Sequence, residues 1–220
     1  MTNRQDIHFV SNGLKCAGWF YRSPNQGKKS PCVILAHGFG AVREMRLDAF
    51  AERFAEAGYH ALVFDYRHFG SSEGEPRQIL NIKKQHQDWQ AAIDYAKTIP
   101  GVDVRKIVLW GTSFSGGHVL ALGVKNPDIA AVISQVPHMD GIAFLETLRS
   151  DPRFQQLPVL IVTAKVLTPQ EKEQLRRQRL EFVKKAELSQ DGFMRLLQRI
   201  LQQTGSGRKK TSTPDPANPG

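Results

Sequence analysis

Val108-Leu109-Trp110-Gly111-Thr112-Ser113-Phe114-Ser115-Gly116-Gly117-His118 decides how this chain is read. The apolar run from Ile107 to Trp110 has the texture of a buried strand, and it meets small residues around a serine, then two glycines. Strand, hard turn and helix with a serine at the tip is the form of a nucleophile elbow, whose turn admits only small residues around the serine. The helix that follows aims its N-terminal N–H groups and dipole at an anion formed there. The pattern G-x-S-x-G is met with one departure: its fifth position is Ser115, small enough for the slot, and Gly116 comes one place later. An ordinary glycine-rich strand-to-helix turn uses the same residue types, so the elbow needs support from its surroundings.

Working outward, residues 7–10 and 14–21 read as two strands around Asn12-Gly13, a hairpin signal. Residues 32–36 form a continuous apolar run, suited to a strand covered on both faces, and end in His37-Gly38-Phe39-Gly40. A helix over 45–57 carries Leu47, Phe50, Ala51, Phe54 and Ala55 on one stripe and stops at Gly58. A strand at 60–64 leads into a glycine-rich loop from Asp65, and a helix over 81–99 is marked by Trp89, Ala92, Ile93 and Ala96. After the elbow come a helix to about Val124 and strands at 130–135, 158–164 and 180–184. Ser189 caps a last helix with Phe193, Leu196, Leu197, Ile200 and Leu201 at i, i+3, i+4, i+7 and i+8. This alternation predicts a three-layer α/β sandwich with a mostly parallel sheet of about eight strands, the first antiparallel. Its ligands belong at the carboxyl ends of the strands, where His37, Asp65, Ser113 and Pro137 fall.

With 220 residues, 40% hydrophobic and 23% charged, the chain suits a single domain over 1–203. Residues 204–220 hold three prolines, three glycines and no large apolar side chain, and read as a disordered tail. No apolar run approaches the ~18 residues of a membrane span, and the polar opening, Met1 to Asp6, is unlike a signal segment. Cys16 and Cys32 stand apart in strand-like runs, as buried reduced thiols of a cytoplasmic protein do. The net charge of +9 accumulates late, between Arg176 and Lys210, but Glu171, Glu173, Glu181, Glu187 and Asp191 are interleaved and no aromatic platform accompanies it. That is a solvated helical face and a basic tail, so neither nucleic acid nor membrane is the expected partner. A small-molecule substrate is. There is no metal-ligand spacing and no nucleotide fingerprint, so no cofactor and no metal are expected.

Residues 5–136 resemble the α/β-hydrolase superfamily, in its peptidase-like and dienelactone-hydrolase-like branch. Three signatures carry the resemblance in order: His37-Gly38-Phe39-Gly40, the loop from Asp65 to Arg77, and Gly111 to His118. It implies Ser113 as nucleophile and the backbone N–H groups of Phe39 and Phe114 as oxyanion donors, each commonly worth ~3 kcal/mol. From Pro137 the sequence resembles the second half of a response-regulator receiver, a flavodoxin-like fold. Pro137-His138-Met139-Asp140-Gly141 followed by Phe144-Leu145, the strand ending at Thr163, Lys185, and the helix from Ser189 carry that resemblance. Both folds run strand, helix, strand, helix here, so a chimeric chain with a seam near 136 would keep the layers intact.

Either parent lacks essential groups. A serine hydrolase needs a base and an orienting acid, in the order Ser, Asp or Glu, His for this class. Directly after the strand ending at Thr163 the chain offers Ala164-Lys165-Val166 and no carboxylate, and no histidine lies beyond His138. His138 as base and Asp140 as acid, just past strand 6, are the substitutes on the right sheet edge. His118 follows Ser113 by five residues and reads as packing or capping; His37 reads as structural, and Asp65 and Arg67 as loop braces. In the receiver half the phosphoacceptor position is Ile133, which leaves Thr163 and Lys185 without an aspartate. The expected function is a serine hydrolase for small esters or peptidyl amides, with weak or lost activity. The alternatives are a non-catalytic fold hybrid or binding scaffold, and a degenerate receiver-like protein.

Overall fold

The computed structural model describes residues 4–25, 29–136, 157–163, 173, 181–184 and 189–207. Its strands are β1 (Arg4–Ser11), β2 (Leu14–Tyr21), β3 (Ser30–Ala36), β4 (His60–Phe64), β5 (Val102–Thr112), β6 (Ile129–Gln135), β7 (Val159–Thr163) and β8 (Glu181–Lys184). Four helices accompany them among the described residues: α1 (Leu47–Glu56), α2 (Ile82–Thr98), α3 (Phe114–Lys125) and α4 (Gln190–Gly207). All the strands join one 8-stranded sheet in the order β1-β2-β4-β3-β5-β6-β7-β8. The β1–β2 and β2–β4 pairings are antiparallel and every later one is parallel. The strand that runs against the rest is therefore β2, not the first, because the tight Asn12-Gly13 hairpin reverses the chain once and the connection from β2 to β3 reverses it again.

Side chains of β3 show how the layers are built. Cys32, Ile34 and Ala36 join one core with Trp89, Ala92 and Ile93 of α2 and Val119, Leu120 and Leu122 of α3. Val33 and Leu35 join the opposite core with Leu47, Ala51 and Phe54 of α1 and Leu197, Ile200 and Leu201 of α4. Alternate residues of a strand point to opposite faces, so a continuous apolar run is what a strand covered on both sides requires. Cys16 and Cys32 are free and buried, and burial pushes both thiols up to about 12.

The single sheet expected of the whole chain is observed: β7 pairs with β6 and β8 with β7 in the sheet that holds the elbow, so the described strands of the receiver-like stretch continue the hydrolase sheet. Ile133 is a buried core residue of that sheet. The last helix also continues to Gly207, past the expected boundary at 203, while residues 208–220, including most of the expected tail, lie outside the described residues. No described helix is long and apolar enough to cross a membrane.

Two buried ion pairs fasten the loop after β4. Arg43 donates to Asp65 through its backbone N–H at 2.8 Å and through Nη1 at 2.7 Å, and its guanidinium lies 4.7 Å from the Trp19 ring centre. Arg67 pairs with Asp88 of α2 through Nε, and donates from Nη2 to the Lys84 carbonyl at 2.9 Å and to Gln87 at 2.8 Å. Asp65 and Arg67 are thus braces, as their positions suggested. Breaking a buried pair by removing one partner leaves an uncompensated charge. Asp88→Ala should therefore lower unfolding stability by about 3–5 kcal/mol, read from urea denaturation midpoints, whereas Arg53→Ala, at an exposed pair with Glu56, should change it little.

Candidate active site

The chain leaves β3 toward β4 on one side and returns to β5 on the other, so β3 and β5 are neighbours with a crossover of opposite direction at each. Such a switch point opens a crevice at the strands' carboxyl ends. Ala36 pairs with Gly111, which sets the turn after β3 against the turn after β5. The approach is close enough to dictate residue types. A Cβ on Gly38 would stand 2.8 Å from the Thr112 carbonyl and 3.0 Å from both Phe114 N and Ser113 Cβ. One on Gly111 would stand 2.2 Å from the Ser115 carbonyl oxygen.

Ser113 sits at the apex with φ 54 and ψ −119, outside the helical and extended regions, and is exposed. A non-glycine residue held there costs on the order of 1–3 kcal/mol and persists only where its surroundings enforce it. The enforcement is visible. The Ser113 N–H donates to the Gln135 carbonyl at the end of β6 at 2.9 Å, and its own carbonyl accepts from Gly116 N–H at 3.0 Å. Val136, next in the chain, is also at positive φ, 47, and its N–H donates to the Val162 carbonyl. Ser115, the departure from the expected glycine, is fully buried, and its hydroxyl lies 2.9 Å from that of Tyr66. Trp89 Nε1–H donates to the same Tyr66 oxygen at 2.8 Å. Serine is accepted in the slot because a buried phenol satisfies it, a partner that spacing alone could not reveal.

The rings of Phe39 and Phe114 meet edge-on at 6.1 Å, which brings the turn after β3 to the start of α3. Phe114 opens α3, so its N–H is among those a helix leaves without an internal partner. Beside a strained, exposed serine, such donors can receive the negative oxygen of a tetrahedral adduct.

The base is another matter. Of seven histidines all but His138 are described, and among the described residues none hydrogen-bonds the Ser113 hydroxyl. His118 turns toward α2: its Nε2–H donates to Gln85 Oε1 at 2.7 Å and its Nδ1 lies 3.1 Å from His86 Nε2. Burial, then the neighbouring His86, pushes its pKa down to about 4, so it stays neutral. His37 Nε2–H donates to the Met45 carbonyl at 2.7 Å and ties down the turn bearing Phe39; burial lowers its pKa. Burial likewise raises the Asp65 carboxyl against the pull of Arg43, and Asp65 is spent on that pair. His138 and Asp140 lie outside the described residues, as does Lys185. The sequence reading missed Arg43, Tyr66 and His86, whose partners are distant in the chain.

An elbow serine between β5 and α3 of this sheet, facing the turn after β3, defines an α/β-hydrolase. Residues 27–189 match the family described as serine aminopeptidase, S33, and the chain belongs to that family. The match runs through the receiver-like stretch, and nothing in the comparisons supports a receiver segment or a chimera. The chain is 53% identical over 138 residues, 63% of its length and 45% of the relative's, to the quorum-quenching protein AidA of Acinetobacter baumannii (strain MDR-ZJ06). It is 35% identical over 133 residues, 60% of this chain and 41% of the relative, to the thiohydrolase aneE of Aspergillus aculeatus. The chain spans about half the length of the curated relatives it matches. Among solved structures, the α/β hydrolase GrgF from Penicillium sp. sh18 superposes with a TM-score of 0.71 at 20% identity, covering 92% of this chain and 99% of that one.

His118 generates a pH prediction. Its unfolded pKa is near 6.5 and its folded one about 4, so below 6.5 the unfolded state binds the extra proton. Stability is complete above that value and falls as pH drops toward 4, by on the order of 3 kcal/mol. Urea titrations across the window should show that slope in wild type and a flatter one in His118→Gln.

Proposed function

We propose that the chain is a serine hydrolase in which Ser113 forms an acyl-enzyme with small esters or peptidyl amides, at a rate limited by an incomplete triad. One observation carries the reading: Ser113 is held at φ 54, exposed, beside Phe39 and the first residue of α3. In the reaction Ser113 Oγ attacks the substrate carbonyl, its proton passes to a base, and the carbonyl oxygen takes the negative charge facing the N–H groups of Phe39 and Phe114. Collapse expels the alcohol or amine, which carries the proton away, and water repeats the sequence on the acyl-enzyme. His138 is our candidate base and Asp140 our candidate acid, because His118 and His37 are committed elsewhere. The names of the relatives, a serine aminopeptidase family and a thiohydrolase, support acyl chemistry on a small molecule. A cytoplasmic setting is supported by the two free buried thiols.

With oxyanion donors and binding but no working base, catalysis of roughly 10³–10⁴-fold over water remains in serine hydrolases. Labelling with a fluorophosphonate, read alongside p-nitrophenyl butyrate turnover, tests the proposal. We expect slow labelling that vanishes in Ser113→Ala and slows further in His138→Ala. Absence of labelling in folded wild type would instead favour the non-catalytic scaffold.

A further inference from the structure

A cavity of about 380 Å³ opens on the other side of the nucleophile strand, between α1 and the first turn of α4. Trp110 of β5 lines it with Phe50 and Phe54 of α1 and Phe193 of α4. Phe50 packs its ring on Trp110 at 4.9 Å, at the edge of the buried stripe of α1 formed by Leu47, Ala51, Phe54 and Ala55, and it remains 39% exposed. An aromatic side chain left open over a buried tryptophan is more than the core needs. Volume and apolar walls suit one small ligand.

The rim supplies charge of one sign. Arg46 at the N-cap of α1 and Arg53 within the helix both line the cavity, and no acidic residue does among the described residues. Arg53 has Glu56 at 2.8 Å, but Arg46 has no ion-pair partner among the described residues. As the N-cap, Arg46 is in a left-handed conformation with φ 75 and without a side-chain cap, so the positive dipole end of the helix starts at a residue that lines the cavity. Ser189, also in the lining, accepts from Gly192 N–H at 3.1 Å and keeps its own proton to donate.

We propose that this cavity binds a small amphipathic carboxylate, its apolar body against Trp110, Phe50 and Phe193 and its anionic end at Arg46. Ser113 is not among the lining residues, and the site does not depend on Ser113 being active. Gln135 connects the two, because it lines the cavity while its carbonyl receives the Ser113 N–H.

Octanoate and octanol, equal in chain length and different in charge, serve as probes, with tryptophan emission as the signal. Octanoate should change the emission saturably in wild type and equally in Ser113→Ala, and the change should disappear in Trp110→Phe. Arg46→Gln, at an exposed position that leaves the core intact, should weaken octanoate by roughly fivefold and leave octanol unaltered. No saturable change in wild type, a signal that persists in Trp110→Phe, or equal weakening of both probes by Arg46→Gln would overturn the proposal. None of these readings uses turnover, so an inactive Ser113 leaves the test intact.

Discussion

The contact between the turn after β3 and the turn after β5 is the constraint on which the rest depends. Gly38 and Gly111 have no room for a methyl group, and in that space the chain must pass from strand to helix with Ser113 at φ 54. The conformation is unfavourable in isolation, and the sheet supplies what maintains it: a carbonyl from β6 for the Ser113 N–H, and a buried Tyr66 hydroxyl for Ser115. Local strain at the serine is thus held by pieces of chain that are far apart in sequence.

Charge is organised around the same point. Arg43 with Asp65 and Arg67 with Asp88 fix the loop after β4, and Trp89, one residue beyond Asp88, reaches the Tyr66 that meets the elbow. His118 belongs to this packing side. Its two ring nitrogens face Gln85 and His86, and burial keeps it uncharged. The first 136 residues therefore hold Ser113 in its strained turn, whereas among the described residues no histidine reaches its hydroxyl. The two requirements are physically separable: one is backbone geometry within a sheet, the other the arrival of a side chain from a later loop.

Family membership fits this division. The match spans 27–189, so the elbow and the later strands belong to one architecture, and β6, β7 and β8 extend one sheet without a break in pairing. The cavity between α1 and α4 stands on the opposite layer from His118. It shares with the elbow only β5 and the end of β6, which places an apolar cavity and the support of Ser113 on two faces of the same strands.

The sequence by itself determined the elements and the serine at the elbow. A strand covered on both faces must be apolar throughout, a helix on a sheet must carry a stripe, and a turn this tight admits only small residues, so 32–36, 107–112 and Ser113 were legible from composition and period. It could not decide to which family the last strands belong, because a receiver and a hydrolase alternate strands and helices with the same local rhythm. Nor could it show that His118 is spent on α2, that Arg43 pairs with Asp65, or that Tyr66 satisfies Ser115. Those are contacts between elements tens of residues apart, and only strand order and crossover direction decide them. Tertiary structure alone placed β3 beside β5, and with that neighbour came the crevice, the strain at the serine and the two faces on which the chain's chemistry is divided.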